Sequence, residues 1–464
     1  MIPVEIVQQM TIEEKVGQLF IVPACPDRHD YHLQDLETLF KDYHVDAIIY
    51  KQGTQKSYND FKLPPDILRV GDAEWGTSMR VKDAVKFPRN LTLGAIQDLS
   101  LIEKFGRQVG WECRQLGIDI NLAPVADVNT NPKNPIIGTR SFGDDPERVA
   151  LLVSTVVKAM QNTGTLACAK HFPGHGDVTV DPHFDLPTTR IGPLKPFQQN
   201  SAAILTAHLQ IDDEIVTFSP RIVHEILRNQ LHYPGLIITD ALNMKAVAKY
   251  EDAALRALKA GHDLLLYGDH ISNEVDTILQ TTVPSAIQCI VKAVKEGEYP
   301  ESLLDEHVVR ILEVKQKLQA RPAINPCDIA TDEASQLKQT LFDNAVTVVS
   351  NAHLPLKQGI QFTCVGGEAP ILKKALAPFI QEKGLRVVCV LKWDEEQIRA
   401  LNPDVLIVLT SPYGLLNLPQ PPTLVIGYEN DPMAEESVRK VLLGEMEAKG
   451  KLPTEIWSVA GSNR

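Results

Sequence analysis

Asp181-Pro182-His183 and Asp240 are the residues of this chain best suited to acid–base and nucleophilic chemistry. Asp181 and His183 stand two apart, and Pro182 biases Asp181 toward an extended backbone. In an extended chain, residues i and i+2 point to the same side. A carboxylate beside an imidazole raises its pKa and fixes its tautomer, as a proton donor working near neutrality requires. The alternative is a solvent-exposed turn with incidental polar residues. Asp240 closes the run Gly235-Leu236-Ile237-Ile238-Thr239-Asp240, apolar enough to be buried on both faces yet ending in a carboxylate. That carboxylate could act as a nucleophile, or it could cap a helix expected to begin near Asn243.

A dense polar stretch precedes the pair: Lys170-His171-Phe172-Pro173-Gly174-His175-Gly176-Asp177. His171, His175, Asp177, Asp181, His183 and Asp185 are numerous enough to raise a metal site. Zinc sites take three or four ligands held by a helix or tight knuckle. Here Pro173 and the glycines interrupt the spacing, so His171 and His175 do not share a helical face. No metal and no cofactor is expected.

These residues need a scaffold, and the patterning up to about residue 320 alternates apolar runs with amphipathic stretches. Strands are expected at Leu19–Val22, Ala47–Tyr50, Leu68–Gly71, Ile118–Ala123, Thr165–Ala169, Ala203–Ala207, Gly235–Thr239 and Asp263–Leu266. Helical patterns such as Leu101–Leu116, Asp145–Gln161 and Pro220–Gln230 lie between them. Eight such units predict an α/β fold, a (β/α)8 TIM-type barrel over residues 1–322. Lys51, Asp72, Lys170, His171, His208 and Asp240 would then follow strands and share one rim, at the carboxyl ends. The proline-rich break Arg321-Pro322-Ala323-Ile324-Asn325-Pro326 opens a linker and helix over 323–344. A smaller α/β domain with a mostly parallel sheet is expected over 345–464, with strands near Ala345–Val349, Gly359–Val365, Leu385–Leu391, Val405–Leu409 and Thr423–Tyr428.

The block from Lys170 to Asp177, taken with Asp181-Pro182-His183, resembles the signature of family 3 glycoside hydrolases, in particular their β-N-acetylglucosaminidase branch. Thr239-Asp240-Ala241-Leu242-Asn243-Met244 is similar to the family's nucleophile motif. The resemblance implies that Asp240 attacks the anomeric carbon, that His183 is the general acid/base and that Asp181 orients it. Pro182 stands where the branch commonly has Ser, which removes a backbone N–H and stiffens the loop. Asp72-Ala73-Glu74-Trp75-Gly76 resembles the family's Asp-x-Glu-Gly-Gly motif, with Arg80 eight residues after the Asp and Trp75 in place of the first Gly. Asn121–Asp127 and Gly138–Gly143 resemble two further blocks. By resemblance, Asp72, Arg80, Arg140, Lys170 and His171 hold the terminal sugar. Glu74, Asn121 and Asp127 read as structural partners, His175 as a loop-steadying hydrogen bond, and His208 as a residue near the pocket without a catalytic role. The second domain resembles an abbreviated form of the family's own.

The implied activity is that of a retaining exo-β-N-acetylglucosaminidase, which removes terminal β-linked GlcNAc from peptidoglycan- or chitin-derived saccharides through a covalent glycosyl-enzyme. β-Glucosidases of the family usually lack this block and take a carboxylate acid from the second domain. Phosphorolysis is a further alternative, because an imidazole acid does not repel phosphate. A non-catalytic sugar-binding protein is the alternative from another class, and the intact Asp181, His183 and Asp240 argue against it.

Bulk properties set outer limits. A formal net charge of -13 argues against nucleic-acid partners and against attachment to anionic lipid. The 464 residues, 44% hydrophobic, contain no apolar run long enough to span a membrane. Seven scattered cysteines without a Cys-x-x-Cys spacing predict buried free thiols in a reducing compartment. Together with a start that shows no export signal, they give a cytoplasmic expectation, although an exported protein trimmed of its signal would read the same. Composition leaves the oligomeric state open.

Overall fold

In the computed structural model, residues 2–28, 30–181, 185–268, 272–323, 326–357 and 359–456 are described. Pro182 and His183 lie outside the described residues. Eight parallel strands form one sheet: β1 (Phe20–Ala24), β2 (Ala47–Tyr50), β3 (Leu68–Gly71), β4 (Ile120–Asn121), β5 (Leu166–Phe172), β6 (Ala203–Thr206), β7 (Leu236–Thr239) and β8 (Leu265–Leu266). The spatial order is β8-β1-β2-β3-β4-β5-β6-β7. A bridge between Ile238 and Leu264 brings the two ends together, so the sheet closes into the expected (β/α)8 barrel.

The strands are legible because both faces are covered. β2 and β7 are buried throughout, and such strands carry continuous apolar runs instead of alternating ones. Outside them, the helix Leu99–Gln115 starts on Asp98, whose side chain accepts from Ser100 N–H, and it buries Leu101, Ile102, Phe105, Val109 and Cys113 along one stripe. It packs on Pro146–Gln161, which is capped by Asp145. Gly106 and Gly110 permit the close approach: a Cβ at Gly110 would stand 3.0 Å from the Met160 Cα and 2.5 Å from Thr163 Oγ1. Arg221–Gln230 winds as a π-helix where the pattern predicts an ordinary helix.

A second, five-stranded sheet follows: β9 (Thr347–Ser350), β10 (Ile360–Val365), β11 (Leu385–Val390), β12 (Val405–Val408) and β13 (Thr423–Ile426), in the order β9-β13-β12-β11-β10. It is parallel except for β9, which runs antiparallel to β13. The helix Asp332–Ala345 packs against Pro432–Leu442 through a Lys338–Asp431 ion pair at 2.7 Å and through Gln339 with Ser437. This unit rests on the barrel. Glu429 accepts from Arg89 N–H and Thr92 Oγ1, both at 2.7 Å, and Lys451 N–H donates to Ala95 O at 2.9 Å. None of the seven cysteines forms a disulfide; Cys113, Cys168 and Cys389 are buried, whereas Cys327 is exposed, contrary to the expectation of burial.

The amino end of the barrel, away from the rim of interest, is tied by Asp263 just ahead of β8. Fully buried, it accepts from Arg228 Nη2 at 2.7 Å, Arg310 Nε at 2.8 Å and Ile237 N–H at 2.9 Å, and it meets His307 Nδ1 at 2.8 Å. Burial would raise its carboxyl, but His307 and the two guanidinium groups outweigh that and hold it well below the usual range. Asp263→Ala strips these buried partners of their counter-charge. It should cost about 3–5 kcal/mol of stability, read as a lower thermal midpoint, without changing KM for any substrate bound at the opposite rim.

Candidate active site

Lys170 and His171 are not beyond the fifth strand, as expected, but inside it. Consecutive residues of a regular strand face opposite ways. Here the pairing of β5 with β6 shifts register between Lys170 and Phe172, so His171 is an extra residue that the bulge re-aims. Both side chains thereby line one cavity of about 690 Å³ at the carboxyl ends of the barrel strands.

Asp72 follows β3, and its loop is pinned from below. Asn121 accepts from Ala73 N–H at 2.9 Å and donates to Ala73 O at 3.1 Å. The Lys170 ammonium lies between two carboxylates, 2.8 Å from Asp72 Oδ1 and 2.7 Å from Glu74 Oε1. Arg80 meets the other Asp72 oxygen at 2.5 Å, and Arg140 grips Glu74 with two bonds, Nε at 3.0 Å and Nη2 at 2.7 Å. Burial opposes ionisation of both acids, yet the cations prevail: Lys170 and Arg80 hold Asp72 well below the usual carboxylate range, and Arg140 and Lys170 hold Glu74 down near 2. Burial disfavours the Lys170 charge too, but the two carboxylates raise its pKa. Both carboxylates are therefore ionised at neutral pH, and their oxygens act only as acceptors.

His171 joins this lattice to a second acid. Arg140 Nη2 stands 3.3 Å from His171 Nε2, and His171 Nδ1 stands 2.6 Å from Asp127 Oδ2. A guanidinium has no lone pair, so Nε2 is assigned as the acceptor and Nδ1 as the nitrogen that donates to Asp127. Asp127 also accepts from the N–H groups of His171 at 3.2 Å and His175 at 2.6 Å. The structural reading of Glu74, Asn121 and Asp127 understated their part: each fixes a side chain or loop of the cavity wall. Their common signal is a short-range acidic or amide residue inside a polar block, which does not by itself reveal the partner.

Asp240 follows β7 and faces the same cavity. Ala241 N–H donates to its Oδ1 at 2.8 Å. The next helix, Lys245–Ala248, has Met244 at its N-cap with no side-chain cap bond, so Asp240 does not cap it. Burial would raise the Asp240 carboxyl, but the neighbouring His208 and His171 rings, the Ala241 N–H and Lys170 together lower it. His208 is buried behind the wall, bonded to Thr217 Oγ1 at 2.7 Å and to Ala241 O at 2.9 Å, and so props the Asp240 loop. Asp181 lines the cavity as well. Of the eight residues expected to form the site, Asp72, Arg80, Arg140, Lys170, His171, Asp181 and Asp240 are brought together, and His183 lies outside the described residues. Lys51, expected on this rim, lines the wall too, as do Asn243, Lys245 and Glu274, which the sequence did not single out for the site. Among the described residues, no group of three or more His, Cys, Asp or Glu is arranged to hold a metal ion.

The barrel thus carries, at its carboxyl mouth, an ionised carboxylate and a wall of paired charges lining one cavity. Residues 11–314 match the model of the glycosyl hydrolase family 3 N-terminal domain, and the chain belongs to that family. It is 32% identical over 329 residues to β-hexosaminidase A of Pseudoalteromonas piscicida, an alignment covering 62% of this chain and 54% of that protein. The chain thus spans about half the length of that relative. It is 34% identical over 251 residues to a β-hexosaminidase of Pseudomonas aeruginosa, covering 49% of this chain and 75% of that one. Its fold is similar to a family 3 β-N-acetylglucosaminidase from Paenibacillus sp. str. FPU-7, with a TM-score of 0.81, 26% identity, and coverage of 96% and 99% of the two chains.

The loop between Glu74 and Arg80 rests on a buried acid. Thr77 Oγ1 donates to Glu112 Oε2 at 2.7 Å, and Gln108 Nε2 donates to Oε1 at 3.1 Å. Burial pushes the Glu112 carboxyl from its ordinary 4.5 up to about 7, against these hydrogen bonds. Between those two values the native state keeps a proton that the unfolded chain has released, so this group's contribution to stability is lost as pH rises through the window. Glu112→Gln should flatten the fall in thermal midpoint between pH 5 and about pH 7, and an unchanged slope would contradict the assignment.

Proposed function

We propose that this protein is a retaining exo-β-N-acetylglucosaminidase. The observation that carries the reading is Asp240, held ionised in a cavity whose opposite wall is the Asp72–Lys170–Glu74–Arg140 lattice. The names of its β-hexosaminidase relatives point the same way. A cavity of about 690 Å³ suits a pyranose with part of its aglycone.

In this mechanism the terminal sugar is held by Asp72, Arg80, Arg140, Lys170 and His171. Asp72 retains acceptor capacity toward hydroxyl groups, and Arg140 offers a planar donor face. The Asp240 carboxylate attacks the anomeric carbon as the glycosidic C–O bond breaks, and His183 gives its proton to the leaving oxygen. A covalent glycosyl-enzyme results. His183, now neutral and oriented by Asp181, takes a proton from water, which attacks the same carbon and frees Asp240. The substrates are assigned as GlcNAc-terminated fragments of peptidoglycan or chitin, a neutral chemistry at the reacting end that the acidic protein does not repel. That none of the seven cysteines forms a disulfide supports a reducing, cytoplasmic setting.

Turnover of nitrophenyl β-GlcNAc and nitrophenyl β-glucoside, with and without inorganic phosphate, tests the reading. Hydrolysis of the acetamido sugar should dominate, and Asp240→Ala should lower kcat by about a thousandfold or more. His183→Ala should lose far more on a disaccharide, whose leaving oxygen needs a proton, than on the activated nitrophenyl sugar. Equal rates on the glucoside would overturn the substrate assignment, a sugar phosphate product would replace hydrolysis by phosphorolysis, and undiminished turnover in Asp240→Ala would overturn the mechanism.

A further inference from the structure

His175 steadies its loop by hydrogen bonding, as expected, but not through its ring. Its backbone does that work, with the N–H donating to Asp127 Oδ1 at 2.6 Å and the carbonyl accepting from Asn134 Nδ2 at 2.8 Å. The ring is left over. Neither Nδ1 nor Nε2 has a hydrogen-bond partner among the described residues, although His175 is only 2% exposed. The ring stands edge-to-face with His171, centroids 5.8 Å apart, and it lines the same cavity as Asp72, Lys170 and Asp240. Burial, and then the neighbouring His171, push its pKa down to about 4. At neutral pH the ring is therefore uncharged, with one N–H donor and one bare acceptor nitrogen.

Burying a polar ring without partners costs folding free energy that an apolar ring of similar shape would not. Buried polar groups in native proteins almost always find a partner, and an orphan on a cavity wall has its partner in whatever fills the cavity. We propose that His175 is a substrate-binding residue whose neutral ring exchanges hydrogen bonds with a polar substituent of the sugar held against Asp240. A hydroxyl or an acetamido group both gives and takes a hydrogen bond, so either one matches the free donor and acceptor of the ring. The identity of the ligand as a sugar rests on the glycosidase reading above.

His175→Phe keeps an aromatic filler and removes both nitrogens; His175→Gln keeps one donor and one acceptor. Three quantities are measured on each and on the wild type: the thermal midpoint, kcat and KM on nitrophenyl β-GlcNAc, and binding of free GlcNAc by calorimetric titration. His175→Phe should fold with an equal or higher thermal midpoint while kcat/KM and GlcNAc affinity each fall about tenfold or more, and His175→Gln should recover part of both. A His175→Phe protein within about twofold of the wild type in both readouts overturns the inference. So does a drop in thermal midpoint that Gln fails to repair together with activity, the pattern of a packing residue. If the wild type binds GlcNAc without turning over the glycoside, the glycosidase reading fails and the binding comparison alone decides for or against His175. If the wild type neither binds nor turns over, both fail.

Discussion

The ammonium of Lys170, clamped between Asp72 and Glu74, is the interaction around which the barrel mouth is organised. Arg80 and Arg140 close the lattice on its outer sides. Charges this deep are tolerated because each faces an opposite charge, and removing any one would strand its neighbours. The lattice joins β3, β5 and the Gly138–Arg140 turn, segments that the chain supplies far apart, so it both fixes the cavity wall and depends on the closed barrel to assemble it. Its extension through His171 to Asp127 reaches the loop after β4, and Asn121 pins the Asp72 loop from the same strand.

Asp240 owes its state chiefly to other neighbours, with Lys170 as the lesser contributor. Taken alone, a buried carboxylate would be pushed toward its neutral form. The neighbouring His208 and His171, then the Ala241 N–H and Lys170, reverse that, so the carboxylate is ionised before any ligand arrives. The dipoles and charges around it are held in place by His208, Asp127 and Asn121. Such fixed polarity is the kind of preorganisation that lowers a barrier without reorganising during the reaction.

Much of the barrel was legible because a parallel strand covered on both faces writes itself as an uninterrupted apolar run. β2 and β3 match their expected bounds end to end, and β7 differs by one residue. β4 and β8 are shorter than their apolar runs, since an apolar run marks burial and not hydrogen-bonded pairing. A polar pair such as Lys170-His171 reads as the end of a strand; the register shift between Lys170 and Phe172, a tertiary feature, carries β5 through it. The ion pairing of Glu74 with Arg140 spans 66 residues, and no local pattern encodes such a partner. The capping alternative for Asp240 was a fair reading of Asp before a helix, and only the backbone path through Met244 removes it.

In the mechanism proposed for this protein, one sugar bonded through its anomeric carbon to Asp240 lies against the Lys170-centred lattice. A crystal structure of the protein trapped with an activated 5-fluoro-GlcNAc donor tests it most directly. The account predicts a covalent bond from Asp240 to the sugar, with the ring hydroxyls on Asp72, Lys170 and Arg140. Attachment to any other side chain, or a sugar seated away from this mouth, would contradict it.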